Sequence, residues 1–161
     1  MNGRPVWISL LFATLLFFAL HRLTLATPPD LWECGDYGRP DPCNTWLLSV
    51  DMLSGSEGWA VGQHGTTLRW TGSDWIKITS PVTDTLRAVS MVAADDGWAV
   101  GSDVPDVSVI LHWDGTDWTQ VSSPTTQPLS HVDMLSATDG WAVGWSGTIL
   151  QIGRASCRER V

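Results

Sequence analysis

A six-residue motif occurs three times in this chain of 161 residues and constrains its fold more than any other feature. Each copy reads acidic residue, Gly, Trp, Ala, Val, Gly, and the copies occupy Glu57–Gly62, Asp96–Gly101 and Asp139–Gly144. The tryptophans of successive copies are 39 and 43 residues apart. A period of about 40 residues is typical of stacked or radial repeat architectures. The chain is therefore predicted to be a repeat protein.

The motif is one strand of a longer repeated unit. In its Trp-Ala-Val segment, Trp and Val share one face of a strand with a period of two residues. The acid-Gly step before it favours a hairpin, in which we expect glycine to supply a positive φ. A further strand-like segment precedes each copy, and its matching apolar positions are Leu47, Val50 and Met52, then Leu86, Val89 and Met91, then Leu129, Val132 and Met134.

Two more strands follow the motif in the first two repeats. Residues 66–70 and 108–113 read as third strands, and residues 76–78 and 119–121 read as fourth strands that end at a Ser-Pro step. Four short strands in about 40 residues are typical of a propeller blade. We therefore predict an all-β partial β-propeller, with two complete blades and one partial blade over residues 47–151.

Such an array is expected to be unstable alone. Closed propellers typically have about four to eight blades. An open array leaves strand edges and an apolar blade face in water, so the chain is expected to aggregate or to pair with another copy.

The first 26 residues are predicted to be an export signal. Arg4 precedes the apolar run Val6–Leu20, and small residues near Ala26 suit cleavage after it. The alternative is an uncleaved membrane anchor, although the run is shorter than the roughly 20 residues that span a bilayer. Either reading places the repeats outside the cytoplasm. Within the lead-in of residues 27–46, Cys34 and Cys43 are then expected to form a disulfide.

The last ten residues depart from the repeat. Comparison with Trp70 and Trp75 predicts tryptophan at positions 152 and 157, where the chain has Ile152 and Cys157. The segment 152–161 also resembles the translation of a short-read sequencing adapter. We therefore expect this tail to be non-native and Cys157 to be an artefact.

The charge of the chain excludes some partners. It has 17 acidic and 9 basic residues, with a formal net charge of −8. Within residues 27–151 the basic residues are Arg39, Arg69, Lys77 and Arg87. Nucleic acid is not an expected partner, and a membrane is expected only through an uncleaved N-terminal segment, because both polyanions are recognised by positive surface.

No arrangement of residues predicts a catalytic, cofactor or metal site; the four histidines, for example, are not at ligand spacing. Asp51 and Asp133 occupy equivalent positions and are candidates for an acid/base pair, a cation site or the solvated lining of a central channel. Asp103 and Asp106 lie in the loop that makes the second repeat longer than the first. This loop is interpreted either as a simple elongation or as a weak calcium site.

The tryptophans fall into two groups with different predicted roles. Trp59, Trp98 and Trp141 recur at one strand position and are predicted to be core residues. Trp145 follows a motif where the first repeat has Gln63, so it is a candidate to stack on a sugar or peptide, or to pack between blades.

The motif, together with the segments Gly147–Leu150 and Asp114–Trp118, resembles the repeats of photosystem II stability and assembly factor-like propellers. It is more distantly similar to bacterial neuraminidase repeats. The resemblance covers residues 47–151 and implies a scaffold or binding role in an exported compartment. The chain lacks a recognisable cluster of ligand-binding arginines.

Two functions follow as expectations. The first is an exported, non-enzymatic propeller module, without a cofactor, that binds a protein or carbohydrate. The alternative is a fragment of a sialidase-like or other glycoside hydrolase, which would require paired carboxylates and an arginine cluster.

Overall fold

A computed structural model describes residues 45–103, 107–153 and 158–159. The chain divides into two units, Met1–Gly35 and Asp36–Val161, and every described residue belongs to the second. The described strands are β1 Leu47–Ser54, β2 Glu57–Gly62, β3 Thr67–Trp70, β4 Trp75–Ile78, β5 Thr85–Ala93, β6 Asp96–Asp103, β7 Val107–Trp113, β8 Trp118–Val121, β9 Leu129–Ser136, β10 Asp139–Gly144, β11 Ile149–Ile152 and β12 Arg158–Glu159.

The strands form three four-stranded antiparallel sheets, each built from consecutive strands. The first sheet is β1 to β4, the second is β5 to β8 and the third is β9 to β12. One repeat of the sequence therefore makes one sheet, and the motif is always its second strand. This confirms the prediction of an all-β partial β-propeller. In the third sheet the outermost strand is the two-residue β12, which pairs with Leu150 and Gln151.

A layer of tryptophans joins the first sheet to the second. Trp59 has no exposed surface, and its ring lies 4.6 Å from that of Trp113 and 5.3 Å from that of Trp118. Val61 lies on the same face of β2 and is fully buried, as the two-residue period of the motif predicts. The second sheet supplies Leu86, Val89, Met91, Ala99, Val109 and Leu111 to this core cluster.

The same arrangement joins the second sheet to the third. Trp98 and Val100 occupy the places of Trp59 and Val61 and are buried with Ile110. The third sheet covers them with Leu129, Val132, Met134, Ala142, Leu150 and Ile152. The first and second sheets therefore each bury their motif tryptophan under the apolar face of the sheet that follows.

Trp141 corrects the prediction that all three motif tryptophans are core residues. Its side chain is 36% exposed, and Val143 on the same face is also exposed. The physical reason is that no further sheet among the described residues packs on this side of the third sheet. At the opposite end of the array, Val50 and Met52 of β1 are exposed, although their counterparts in β5 and β9 are buried.

The first glycine of the motif has a different role from the one predicted. Gly58, Gly97 and Gly140 do not adopt a positive φ, so the expectation based on hairpin geometry is wrong. A Cβ atom at each position would instead collide with the methionine side chain of the preceding strand, namely Met52, Met91 or Met134. Glycine and methionine recur together because the thioether fills the space that the missing side chain leaves.

A hydrogen-bonded turn joins β7 to β8. Gly115 has a φ of 95°, and one carboxylate oxygen of Asp114 accepts hydrogen bonds from the Asp117 N–H at 2.9 Å, the Thr116 Oγ at 2.7 Å and the Thr116 N–H at 2.9 Å. These bonds, that of the Asp117 N–H first, lower the pKa of Asp114 from 3.8 to about 2.

We expect the Asp114 carboxyl group to titrate with a midpoint of about 2. Because the folded pKa is lowered, the contribution of this turn to stability is present above pH 4 and is lost as the pH falls towards 2. Measurement of the side-chain carboxyl ¹³C shift against pH checks this. A midpoint near 3.8, or an equal midpoint after Thr116→Val, would contradict the assignment.

Candidate functional site

Side-chain acceptors on β1 and β5 bind backbone N–H groups of the next sheet. A carboxylate oxygen of Asp51 accepts the Met91 N–H at 2.7 Å, and the Ser90 hydroxyl accepts the Met134 N–H at 3.1 Å. Asp51 therefore lies between two sheets. Asp133, its counterpart in the third sheet, is exposed, so the structure does not bring the two aspartates into one site.

The ends of the strands form two opposite edges of the array. One edge has the hairpins of the β1–β2 type, and the other has the segments that link one sheet to the next. Trp145 lies at the second edge, in the turn between β10 and β11, and is 51% exposed. The guanidinium carbon of Arg87, in β5 of the neighbouring sheet, lies 6.0 Å from the centre of the Trp145 ring. This is a cation–π geometry. We name Trp145 and Arg87 the loop-edge pair.

Hydrogen bonds hold both members of the loop-edge pair. The Arg87 Nε donates to the Ser102 Oγ at 3.2 Å, and the Trp145 N–H donates to the Pro128 carbonyl at 2.9 Å. Ser146, next to Trp145, has a φ of 55° and donates from its hydroxyl to the Gln127 Oε1 at 3.0 Å. The Trp145 ring is therefore presented by a turn that is bonded to its neighbours.

A shallow groove of about 400 Å³ lies at the same edge of the array, lined by the turn between β2 and β3, by β4 and by the segment that links β4 to β5. His64, which has a φ of 56°, and Lys77 contribute to its wall. The remaining lining residues are Gly65, Ile78, Thr79, Ser80, Val82 and Thr83. His64 occupies in the first repeat the position of Ser146 in the third, so the groove and the loop-edge pair use equivalent turns of different blades.

The acidic residue of the motif has a partner that sequence analysis missed. Glu57 forms an ion pair with Arg69 at 2.8 Å. The corresponding pairs are Asp96 with His112 at 2.9 Å and Asp139 with Gln151 at 3.0 Å. In every repeat the partner lies one residue before the position of Trp70 or Trp113. This fixed offset is the sequence signal from which the partner could have been predicted. These carboxylates are therefore bonded within their own blades.

Several predicted residues are not tested by the structure. Cys34, Cys43, the export signal and Asp106 lie outside the described residues. Asp103 ends β6, where its backbone pairs with Val107, but its side chain is not described. Within the described part of the chain, no group of three or more His, Cys, Asp or Glu residues is placed to hold a metal ion. That part also contains no helix long and apolar enough to cross a membrane.

Comparison with known proteins gives structural but not sequence matches. No protein-family model matches the chain, and no curated protein matches its sequence. Among solved structures, YCF48 bound to D1 peptide superimposes with a TM-score of 0.59 at 21% identity, over 71% of this chain. YCF48 from Cyanidioschyzon merolae superimposes with a TM-score of 0.57 at 24% identity, over 73% of this chain.

The aligned region is 40% of the first YCF48 chain and 37% of the second. The chain thus spans well under half the length of these structures. At these identities the likeness concerns the fold. The three sheets are blades of a β-propeller similar to that of YCF48.

Proposed function

We propose that this chain is a non-enzymatic binding module, and that its loop-edge pair contacts an extended segment of a protein partner. The observation that carries the proposal is the exposed Trp145 ring beside the Arg87 guanidinium. Trp, Tyr and Arg are the residues most enriched among the hot spots at the centres of protein interfaces.

The chemistry of the pair suits a peptide. The open face of the Trp145 ring offers apolar area for a proline, an aliphatic or an aromatic side chain. Arg87 has one bond from its Nε to Ser102 and no other hydrogen bond to a described residue, so its terminal N–H groups are free to donate to a peptide carbonyl or carboxylate. The guanidinium also favours a carboxylate at this point of the segment, although the chain as a whole has a net charge of −8.

The comparison supports the same class of partner. One of the similar structures is YCF48 bound to D1 peptide. Peptide binding is therefore a function that a propeller of this fold performs in another protein. We extend peptide binding to this chain because of the loop-edge pair and not because of sequence identity.

We expect a peptide selected from a random library displayed on phage to bind the full chain through the loop-edge pair. The selected peptide would be synthesised with a fluorescein label and its affinity measured by fluorescence anisotropy. Trp145→Ala and Arg87→Ala should each raise the Kd at least about tenfold, because each removes a central contact.

Arg69→Ala is the matched control. Arg69 also lies over a tryptophan ring, 5.8 Å from the centre of Trp59, but it is paired with Glu57 at the opposite edge of the sheets. This variant should keep the wild-type Kd, provided that its circular dichroism shows a folded chain. Equal Kd values for the wild type and both loop-edge variants would contradict the proposed site.

The proposal includes an extracytoplasmic location, supported by the apolar run Val6–Leu20 that follows Arg4. Expression of the full chain in a bacterial host, followed by N-terminal sequencing of the exported fraction, tests it. Recovery of the protein only from the cytosol, with Met1 intact, would contradict export.

A further inference from the structure

We propose that the groove beside β4 binds a phosphate or sulfate group, held by Lys77 and His64. The groove lies at the edge of the array that has the links between sheets, which we name the linking edge. We name this groove, with the lining residues given above, the anion groove. It shares no residue with the loop-edge pair, so the inference goes beyond peptide binding and does not depend on it.

Contacts between its segments hold the walls of the anion groove in place. The Gly65 N–H donates to the Asp84 carbonyl at 2.8 Å, which joins the turn between β2 and β3 to the link that follows β4. Gly65 has a φ of 63°, and a Cβ atom there would collide with the Val82 carbonyl oxygen. The Ser80 Oγ accepts the Val82 N–H at 3.3 Å. The groove is therefore formed before a ligand arrives, which lowers the ordering cost of binding.

Lys77 supplies a positive charge that no carboxylate in the described part of the chain neutralises. The other basic side chains described have partners: Arg69 is paired with Glu57. The Arg87 Nε donates to Ser102. Lys77, in contrast, forms no ion pair or hydrogen bond with a described residue. Its ammonium group is therefore available to a ligand.

Hydrogen-bond donors surround this charge. The hydroxyl groups of Thr79, Ser80 and Thr83 line the anion groove, and His64 contributes from the turn. Each hydroxyl can donate one O–H, and an imidazole ring can donate at least one N–H. Among the described lining residues none is acidic. Donors and a positive charge without a carboxylate are the chemistry of an anion site.

The types of donor favour a tetrahedral oxyanion over a carboxylate. A planar carboxylate is matched best by the fork of an arginine, and no described lining residue is arginine. A lysine ammonium acts as a point charge on phosphate, and separate hydroxyls can each reach a different oxygen. Ile78 and Val82 are only partly buried in the core, so they offer apolar contact to the carbon skeleton of an ester.

Most of the negative charge of the chain lies away from the anion groove. Of the acidic residues in the described ranges, seven lie at the opposite edge, the hairpin edge: Glu57, Asp74, Asp95, Asp96, Asp114, Asp117 and Asp139. The linking edge has Asp84 and Asp103 against Lys77 and Arg87.

The distance between the edges weakens the effect of that charge. The six residues of β2, at about 3.3 Å each, separate the edges by about 20 Å. This is twice the Debye length of about 10 Å at 0.1 M salt. The acidic hairpin edge therefore does little to repel an anion from the groove at that ionic strength.

Nuclear magnetic resonance titration of the ¹⁵N-labelled full chain with phenyl phosphate tests the site. At constant ionic strength we expect saturable shifts of the amide signals of His64, Gly65 and residues 77–83, and no shifts at the hairpin edge. Phenyl sulfate should give the same shifts. Phenylacetate, a carboxylate of similar size, should bind at least about tenfold more weakly, because it leaves donors unpaired. Inorganic phosphate should move the same signals, and its Kd relative to phenyl phosphate distinguishes the free ion from an ester as the ligand.

Lys77→Gln should raise the Kd for phenyl phosphate at least about tenfold, because it removes a charge-assisted hydrogen bond. Lys77 is exposed, and β8 has Gln120 at the equivalent position, so the variant should fold. The matched control combines Lys77→Gln with Gln120→Lys, which restores the net charge but places the lysine on the next sheet. Its Kd should stay as high as that of Lys77→Gln alone.

His64→Ser should also raise the Kd, because it removes a donor from the groove. The third repeat has Ser146 at this position with a φ of 55°, so serine is compatible with the turn. None of these measurements uses the selected peptide, and the anion groove and the loop-edge pair are therefore tested separately.

Three results would overturn the inference. The first is the absence of saturable shifts up to about 20 mM phenyl phosphate, a concentration that would reveal even a weak site. The second is a charge-restored double variant that binds as tightly as the wild type, which would show attraction to net charge alone. The third is phenylacetate that binds as tightly as phenyl phosphate, which would show that the groove does not select a tetrahedral anion.

Discussion

Alanine in place of Trp59 is expected to lower the free energy of unfolding by about 3–5 kcal/mol. Trp59 is fully buried between two sheets, in contact with the rings of Trp113 and Trp118. Its removal leaves a cavity that the backbones of two sheets cannot collapse to fill. Because typical domains are stable by only about 5–15 kcal/mol, this is a large share of the total.

Urea unfolding followed by circular dichroism measures the loss. All variants must be compared at one protein concentration, because association links stability to concentration. Trp98→Ala should cost a similar amount, since Trp98 holds the same position between the second and third sheets. Trp145→Ala, at an exposed tryptophan, should stay within about 0.5 kcal/mol of the wild type. Equal losses for Trp59→Ala and Trp145→Ala would contradict this account of the core.

The repeats allow the strand order to be predicted because each blade encodes its own local pattern. A period of two residues in the motif places Trp59 and Val61 on one face, and the structure buries both. The sequence does not say which sheet covers that face. Trp141 has the same local pattern as Trp59 and is exposed, because burial depends on a neighbouring sheet.

The candidate site was predicted only in part. Trp145 was recognised because it breaks the repeat, but its partner Arg87 is in the preceding repeat and no spacing rule connects them. The bond from Asp51 to the Met91 N–H likewise joins different blades, and it involves a backbone group that sequence comparison does not show. Contacts within a blade, such as Glu57 with Arg69, recur at a fixed offset and were accessible in principle.

Gly101→Ala is expected to destabilise the chain by about 1–3 kcal/mol or more. The substitution adds only one methyl group, whereas Trp59→Ala and Trp98→Ala each remove a whole indole ring. Gly101 ends the second motif, beside a register shift between β5 and β6. A Cβ atom there would collide with the Thr85 carbonyl oxygen and lie 2.9 Å from the Leu86 Cα. Both are backbone atoms of the neighbouring strand, so no side chain can rotate away to make room.

Gly55→Ala is the control for this prediction. Gly55 lies in the β1–β2 hairpin, does not have a positive φ, and has no atom within 4 Å of the position that a Cβ would occupy. Alanine there should stabilise the chain by about 0.4–1 kcal/mol, because it restricts the unfolded state without strain in the folded one. The two variants carry the same chemical change and should shift the urea midpoint in opposite directions. A shift in the same direction would show that chain entropy, and not the approach of β5 to β6, requires the final glycine of the motif.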